Sequence, residues 1–228
     1  MLEERPESMM VIGAHPDDCE FGAGGVAFEW ASKGTRVIFV IVTDGSRGSA
    51  GCDSKPDDLV QVRRREQHRS ADILGVSECR FLGFPDGELV NDETLLRELV
   101  RVIREYRPQA VFTHTPEHLD HRRFRGGEGA WVNHRDHRAV GGATLDAVYP
   151  FARNPNSFLD LKLECHAVQE LYLWGSRFPN IQVPCTEGIR TKARALACHR
   201  SQFSDETDWN ELAMGWGETE SFERIELP

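Results

Sequence analysis

Hydrophobic positions along this chain follow two alternating patterns. Short, almost continuous runs of Val, Ile and Phe predict strands covered on both faces, because such strands have no polar side. Longer segments whose apolar residues recur three and four positions apart predict amphipathic helices. The predicted strands span residues 9–13, 37–42, 79–82, 110–113 and 170–174. The predicted helices span residues 24–33, 59–74, 95–106, 139–148 and 189–200.

Alternation of strands and helices at this spacing predicts an α/β fold, a three-layer sandwich around a mainly parallel sheet. Gly34 and Gly75 stand where helix C-terminal caps are expected. Asp92 can cap the third helix, which Pro108 ends. The 228 residues fit a single domain, with residues 1–8 as a loose N-terminal extension. In sheets of this type the ligand crevice lies outside the carboxyl ends of the strands.

Composition narrows the classes of partner. A formal net charge of -10 and a pI near 5.4 make the phosphate backbone of nucleic acids a poor partner. The N-terminus lacks the basic and apolar regions of a secretory signal, and no apolar run reaches the roughly 20 residues of a membrane helix. The six cysteines contain no C-x-x-C spacing, which favours free thiols. We therefore expect a cytoplasmic protein without nucleic-acid or membrane partners.

Two polar clusters follow predicted strands. His15, Asp17 and Asp18 come after the first strand, and residues 134–137 come after the fourth. Both clusters are expected at the same edge of the sheet, so residues distant in sequence can share one ion. Zinc hydrolases keep three protein ligands and leave one position for water. His15, Asp18 and His137 would supply a His-Asp-His set, which accepts zinc and also iron, cobalt or nickel.

The remaining polar residues of the two clusters are candidates for acid–base chemistry. Asp17 could take the proton of the attacking water as general base. A protonated His134 could stabilise a tetrahedral oxyanion or protonate the leaving amine. Asp136 could orient an imidazole through a hydrogen bond. The combination predicts metal-assisted hydrolysis.

Other interpretations of the same residues stay open. Residues 15–18 could form a turn followed by a helix cap, and residues 134–137 could be a solvated surface pattern. A structural metal site is a third possibility, although such sites usually have four protein ligands and favour Cys. His118 and His121 repeat the His-x-Asp-His pattern, but they lie in an irregular segment, residues 117–133. We expect this segment to overhang the crevice and its histidines to face solvent or substrate.

These motifs resemble those of the PIG-L/LmbE-like family of zinc-dependent N-acetylglucosaminide deacetylases. The first signature is matched by residues 14–18, with Glu20 and Gly24-Gly25, and the second by residues 134–141. Smaller matches follow in the same order: Thr43-Asp44-Gly45, Arg63 with Glu66, Leu74-Gly75, Leu82-Gly83 with Asp86-Gly87, Lys192 with Ala195-Leu196, and residues 199–202. The resemblance therefore extends over nearly the whole chain.

The resemblance implies a Rossmann-like fold and one zinc ion per chain, bound by the His-Asp-His set. It also implies Asp17 as general base and His134 as the charge-stabilising or acid group. Arg63 would contact substrate hydroxyls. The chain departs from the family pattern at Arg135, where proline is common, and at Val132, where some relatives use an aromatic hydroxyl.

We therefore expect a zinc amidohydrolase that removes an N-acetyl group from an amino-sugar-like small molecule. The alternatives are an amidase on a thiol conjugate or natural product, and a non-catalytic metal- or sugar-binding module. Asp17 separates these classes, because a pure binder does not need a second carboxylate beside the ion. Selectivity is expected from residues 117–133, whose Arg122, Arg123 and Arg125 offer donors to a ligand. Since relatives are often oligomeric, a homo-oligomer is compatible with the resemblance.

Overall fold

A seven-stranded sheet lies at the centre of the part of the chain that the computed structural model describes, residues 5–48, 56–121 and 129–228. The strands are β1 (Ser8–Gly13), β2 (Arg36–Thr43), β3 (Glu78–Phe84), β4 (Ala110–His114), β5 (Leu119–Asp120), β6 (Trp131–Val132), β7 (Glu170–Trp174), β8 (Ile181–Pro184) and β9 (Thr219–Glu226). Their order in the sheet is β3-β2-β1-β4-β7-β9-β8, and β5 pairs with β6 in a separate ribbon. The first five strands of the sheet are parallel, and β9 is antiparallel to both of its neighbours.

Helices cover both faces of the sheet, as the three-layer prediction requires. They are α1 (Asp18–Ala31), α2 (Pro56–Leu74), α3 (Glu93–Tyr106), α4 (Arg135–Asp146), α5 (Thr186–Leu196) and α6 (Trp209–Trp216). Met10 and Ile12 of β1 pack in the core formed with α3 and α4, whereas Met9 and Val11 pack in the core formed with α1 and α5. This alternation follows from the two-residue period of a strand. Among the described helices, none is long and apolar enough to cross a lipid bilayer.

The elements expected from the apolar runs are present, and their capping residues act as predicted. β1, β2, β3, β4 and β7 are the five predicted strands. The carboxylate of Asp92 accepts hydrogen bonds from the backbone N–H groups of Thr94 and Leu95 at 3.0 Å each, which caps α3. Gly34 and Gly75 adopt positive φ angles of 92° and 71°, a conformation that glycine reaches without steric cost.

Helix α1 begins at Asp18, but Ala23, with φ and ψ angles of -147° and 19°, interrupts it, so the helix expected from residue 24 corresponds to its second part. Glycine has low helix propensity, so Gly22 hides the start of this helix from a pattern-based prediction. A Cβ atom at Gly22 would lie 2.5 Å from the indole ring of Trp174. The helix therefore has glycine at this position because its backbone packs directly against the indole.

Two other expectations need correction. The apolar patterns did not predict β8, β9 or α6, which complete the C-terminal part of the fold. The loose extension expected over residues 1–8 does not include residues 5–8, which are attached to the sheet. Thr35 Oγ1 donates to the Pro6 carbonyl at 2.7 Å, and the Arg36 N–H donates to the Glu7 carbonyl at 2.9 Å. Residues 1–4 lie outside the described part of the chain.

Candidate active site

Neighbouring parallel strands bring polar residues to one edge of the sheet. β1 ends at Gly13 and leads into His15 and Asp18. The segment after β3 carries Asp86, and α4 carries His137 in its first turn. Because the carboxyl ends of parallel strands meet at one edge, the two sequence clusters come together, as the crevice argument predicted.

The side chains of His15, Asp18 and His137 form a compact triangle of potential ligand atoms. His15 Nδ1 lies 3.2 Å from Asp18 Oδ2, and His137 Nε2 lies 3.2 Å from Asp18 Oδ1. The two ring nitrogens, His15 Nδ1 and His137 Nε2, are 3.3 Å apart. A tetrahedral ion with ligand bonds of about 2.0–2.1 Å keeps its ligand atoms about 3.3–3.4 Å apart. The donor types and their spacing therefore fit a zinc-type ion.

The electrostatic environment of this triangle favours positive charge. Burial opposes protonation of His15, but hydrogen bonds to surrounding carboxylates, first that of Asp136, raise its pKa well above the usual value. Burial also opposes ionisation of Asp18, but His137 and His114 hold the pKa of its carboxyl well below the usual range. Asp18 is therefore a carboxylate, the form that binds metals, and the negative charge around His15 would attract a cation equally well.

The second nitrogen of His15 faces two carboxylates. His15 Nε2 lies 3.1 Å from Asp86 Oδ1 and 3.3 Å from Asp136 Oδ2. Both carboxylates are fixed by backbone N–H groups, Asp86 by that of Arg47 at 2.9 Å and Asp136 by that of Gly87 at 2.6 Å. A carboxylate behind a ligating histidine fixes its tautomer and ring orientation. Asp136 thus stands where an imidazole-orienting group must stand, although this role stays a prediction.

Three groups of His and Asp side chains among the described residues have ligand atoms within 4.8 Å of one another, and each group contains His15 or His137. The three groups therefore overlap at His15 and His137. Asp86 and Asp136 face the His15 nitrogen that is not part of the triangle, so they are better placed to orient that ring than to bind the same ion. His114 belongs to another of the three groups, and its Nε2 lies 3.3 Å from Asp18 Oδ2. These contacts favour the triangle as the ligand set.

Asp17 lies beside the triangle in an unusual backbone conformation. Its φ angle is 103°, and its N–H donates to Gln67 Oε1 at 2.9 Å. Burial raises the pKa of Asp17 to about 6, against the opposing charge of Arg63. A carboxyl group with a pKa close to neutral can both accept and return a proton. Asp17 therefore has the properties required of a general base.

Arg63, expected to contact substrate, is buried beneath Asp17 with only 3% of its surface exposed. Its guanidinium donates to the carbonyl of Gly45 at 3.0 Å and to the carbonyl of Pro16 at 2.7 Å. Arg63 Nη2 also lies 3.4 Å from Asp17 Oδ2. These contacts give Arg63 a positioning role towards Asp17, and the predicted contact with substrate hydroxyls stays a prediction.

His134 is exposed at the edge of the site, where it caps α4. Its Nδ1 accepts the backbone N–H of Asp136 at 3.2 Å, so the neutral ring carries its proton on Nε2. The ring lies 4.9 Å from that of His15 and 5.3 Å from that of His137. Desolvation, and then the charges of His15 and His137, lower the pKa of His134. The structure therefore favours a neutral His134 over the protonated form expected from the sequence.

Sequence reasoning did not identify two residues of this site, His114 and Asp86, as functional groups. His114 closes β4 and is only 1% exposed, and a single histidine at the end of an apolar run is common in protein cores. In the sequence, Asp86 stood out only as part of the short match of Leu82-Gly83 and Asp86-Gly87 to the family pattern. The available signal was topological. His114 is the last residue of β4, which neighbours β1, and Asp86 follows β3, which neighbours β2, so both lie at the sheet edge where His15 was already expected.

The second His-x-Asp-His copy lies apart from the triangle. β5 and β6 form an antiparallel ribbon at the base of the segment over residues 117–133, which is therefore not irregular throughout. Both histidines flank β5 and take part in backbone hydrogen bonds. The His118 carbonyl accepts the Asn133 N–H at 2.8 Å, and the His121 N–H donates to the Gly175 carbonyl at 2.9 Å. Neither histidine belongs to the potential metal-binding groups found among the described residues. The arginines expected to select the substrate, Arg122, Arg123 and Arg125, lie outside those residues.

Comparisons with known proteins agree with this geometry. A family model described as "PIG-L: GlcNAc-PI de-N-acetylase" matches residues 10–148, the part of the chain that contains the whole triangle. The diacetylchitobiose deacetylase of Thermococcus kodakarensis is 32% identical over 206 residues, which cover 88% of this chain and 72% of that protein. The mycothiol S-conjugate amidase of Streptomyces coelicolor is 25% identical, covering 90% of this chain and 86% of that protein.

A solved structure is also similar to this chain. The N,N'-diacetylchitobiose deacetylase from Pyrococcus horikoshii has a TM-score of 0.84 against this chain at 28% sequence identity, covering 97% of this chain and 84% of that chain. The similarity therefore includes the C-terminal strands as well as the segment that contains His15, Asp18 and His137. The three relatives named here are two diacetylchitobiose deacetylases and one mycothiol S-conjugate amidase.

Proposed function

Because this chain belongs to the PIG-L family, we propose that it is a metal-dependent deacetylase acting on the N-acetyl group of an amino-sugar-like small molecule. The observation that carries this proposal is the triangle of His15, Asp18 and His137 with Asp17 beside it. A proton-accepting carboxyl group that is close to the ligand set but not part of it serves hydrolysis. A protein that only binds a metal ion does not need such a carboxyl group.

The proposed cofactor is one zinc-type ion per chain, held by His15 Nδ1, the Asp18 carboxylate and His137 Nε2. When bound, such an ion lowers the pKa of a water molecule and polarises the amide carbonyl. The spacing of the three donors supports a tetrahedral ion. The choice of zinc over iron, cobalt or nickel rests on the resemblance to zinc-dependent deacetylases, because the donor set accepts all of them.

Asp17 is the proposed general base. Its carboxylate takes a proton from the attacking water as the water oxygen bonds to the acyl carbon. When the carbon–nitrogen bond breaks, the same proton passes to the leaving nitrogen, so the products are acetate and a free amine. The contact with Arg63 Nη2 at 3.4 Å and the hydrogen bond from the Asp17 N–H to Gln67 hold the carboxylate in place.

His134 is proposed to act as a hydrogen-bond donor. Because its Nδ1 accepts from the backbone, its Nε2–H is the group that can reach a substrate. A donation from Nε2–H to the carbonyl oxygen strengthens as negative charge develops on that oxygen, so it lowers the barrier. A neutral donor serves this purpose, and the lowered pKa of His134 does not oppose the role.

Two alternatives remain for comparison. An amidase on a thiol conjugate is supported by the similarity to the mycothiol S-conjugate amidase, at lower identity than the diacetylchitobiose deacetylase. A non-catalytic metal- or sugar-binding module would explain the triangle but not Asp17. For the compartment, the described cysteines are free thiols, which supports a reducing cytoplasm. A homo-oligomer is compatible with membership of the family.

The test is the release of free amine and acetate from a substrate panel. Zinc-loaded protein would be offered N-acetylglucosamine, N,N'-diacetylchitobiose and a glucosamine acylated by an S-alkylated cysteine. We expect acetate from the acetylated sugars, and little release from chelator-treated protein or from Asp17→Asn. Faster cleavage of the cysteine conjugate would favour the amidase. A protein that binds zinc stoichiometrically but hydrolyses none of the three compounds would contradict the proposed reaction.

A further inference from the structure

His114 is buried, and its Nδ1 atom has a hydrogen-bonding partner of fixed character. The indole Nε1 of Trp174 lies 3.0 Å from His114 Nδ1. An indole N–H can only donate, so Nδ1 must be the acceptor nitrogen of the imidazole. The proton of the neutral ring is therefore on Nε2. Trp174 thus determines which tautomer His114 adopts.

The protonated nitrogen of His114 faces a proposed metal ligand. His114 Nε2 lies 3.3 Å from Asp18 Oδ2, an oxygen that also accepts the backbone N–H of His15 at 2.7 Å. The backbone nitrogen of Ala14 lies 3.3 Å from the same Nε2, but a protonated Nε2 can donate to the Asp18 oxygen and cannot accept the Ala14 N–H. The His114 ring stacks on that of His137 with centroids 4.0 Å apart and an interplanar angle of 18°. One buried side chain therefore contacts two of the three proposed ligands, because its Nε2–H is within donating distance of Asp18 and its ring stacks on His137.

The backbone fixes Trp174 in turn. His114 and Trp174 are paired residues at the ends of β4 and β7, so the sheet register places the two side chains side by side. Gly22 lets α1 pack directly against the indole, where a Cβ would lie 2.5 Å from the ring. With 1% of its surface exposed, the indole is held from both sides.

We propose that Trp174 and His114 are positioning residues for the metal site. In this chain of contacts the Trp174 N–H selects the His114 tautomer, and His114 then fixes the Asp18 carboxylate and the His137 ring before an ion binds. This inference rests on the proposed function for the identity of the metal ligands, but it concerns metal affinity rather than hydrolysis. Groups that orient metal ligands in this way typically contribute about 10- to 100-fold to metal affinity or activity.

The first test removes the indole N–H. Trp174→Phe keeps an aromatic ring in the core but cannot donate to His114 Nδ1. Trp30→Phe is the matched control, because Trp30 is 5% exposed in the same core and packs edge-to-face on Phe112 and Tyr172. Zinc affinity would be measured by competition with a chromophoric chelator, and ligand geometry by the visible spectrum of the cobalt-substituted protein. We expect zinc binding about 10- to 100-fold weaker in Trp174→Phe, and parental in Trp30→Phe.

A second pair of variants keeps the inference testable if Trp174→Phe does not fold. His114→Gln keeps a side-chain N–H that can donate to Asp18, whereas the similarly sized His114→Met does not. We expect His114→Gln to retain more zinc affinity than His114→Met and to give a cobalt spectrum closer to that of the parent. Parental zinc affinity and an unchanged cobalt spectrum in both Trp174→Phe and His114→Met would overturn the inference. Zinc affinities that follow the expected order in a protein without hydrolytic activity would support it while contradicting the proposed function.

Discussion

Replacing Gln67 by methionine tests how far catalysis depends on the way Asp17 is held. The Gln67 side chain is buried, its Oε1 accepts the Asp17 N–H at 2.9 Å, and its Nε2 donates to Glu20 Oε1 at 2.5 Å. Methionine has a similar length and adapts to the same space, but it offers only a weak acceptor. The substitution therefore removes the partner of the Asp17 N–H with little change in packing.

The expected magnitude follows from the two groups that lose a partner. A buried donor left without a hydrogen bond costs about 1–3 kcal/mol, so we expect the free energy of unfolding to fall by about this amount. Glu20 keeps the second donor to its Oε1, Ser70 Oγ at 2.6 Å, which limits the additional loss. The φ angle of 103° at Asp17 is a strained conformation for a residue other than glycine. Without the Gln67 bond we expect Asp17 to relax, and a displacement of about 1 Å at a catalytic group can cost about 10²-fold in rate.

The assay separates stability, metal binding and turnover. Urea unfolding measures the free energy of unfolding, chelator competition measures zinc affinity, and initial rates at saturating substrate measure kcat. Gln109→Met is the matched control, because Gln109 Oε1 accepts the backbone N–H of Glu7 at the opposite end of the sheet. We expect this control to keep the parental kcat. If Gln67→Met loses stability but also keeps the parental kcat, the position of Asp17 does not depend on this hydrogen bond and the reasoning is refuted.

Four further substitutions address the proposed roles one by one. Asp17→Asn should keep its zinc, measured by elemental analysis, and lose about 10²- to 10⁴-fold in kcat, the usual loss for a general base; normal turnover would move that role elsewhere. His137→Ala should lose most of its zinc, and full retention would contradict the ligand set. His134→Ala should lower kcat in initial-rate assays with zinc content unchanged, because its donor acts on charge that develops in the transition state. His121→Ala should retain both zinc and kcat, and an empty site in this variant would show that the other His-x-Asp-His copy binds the metal.

The parallel part of the fold and the proximity of His15, Asp18 and His137 could be predicted from the sequence for one reason. Strands buried on both faces are apolar at every position, so β1 and β2 stand out from their surroundings, and the polar residues that follow them are conspicuous. His15 and Asp18 directly follow such a run. His137 lies in the first turn of the helix α4, which follows another such run, β4. The topology of a parallel sheet then places both clusters at one edge.

The antiparallel strands and the supporting residues could not be predicted in the same way. β9 mixes apolar and charged positions, Phe222 being buried and Glu226 exposed, so its pattern resembles that of a surface segment. His114 and Trp174 are distant in sequence, and only the register between β4 and β7 reveals their contact. The tautomer of His134 depends on a backbone N–H that exists only once α4 has formed. These features follow from three-dimensional neighbours rather than from local residue type.

In the sheet, β4 lies between β1 and β7. The N-terminal strands are therefore expected to fold cooperatively only together with the C-terminal strands. The matched family segment ends at residue 148, so a fragment cut there would leave β4 as an exposed edge strand, a template for intermolecular pairing. It would also lose Glu220 of β9, whose carboxylate accepts the N–H groups of Gly25 and Val26 inside α1 at 3.1 and 2.8 Å. Transplanting this active site onto another scaffold would therefore require the C-terminal strands, although they contribute none of the proposed metal ligands.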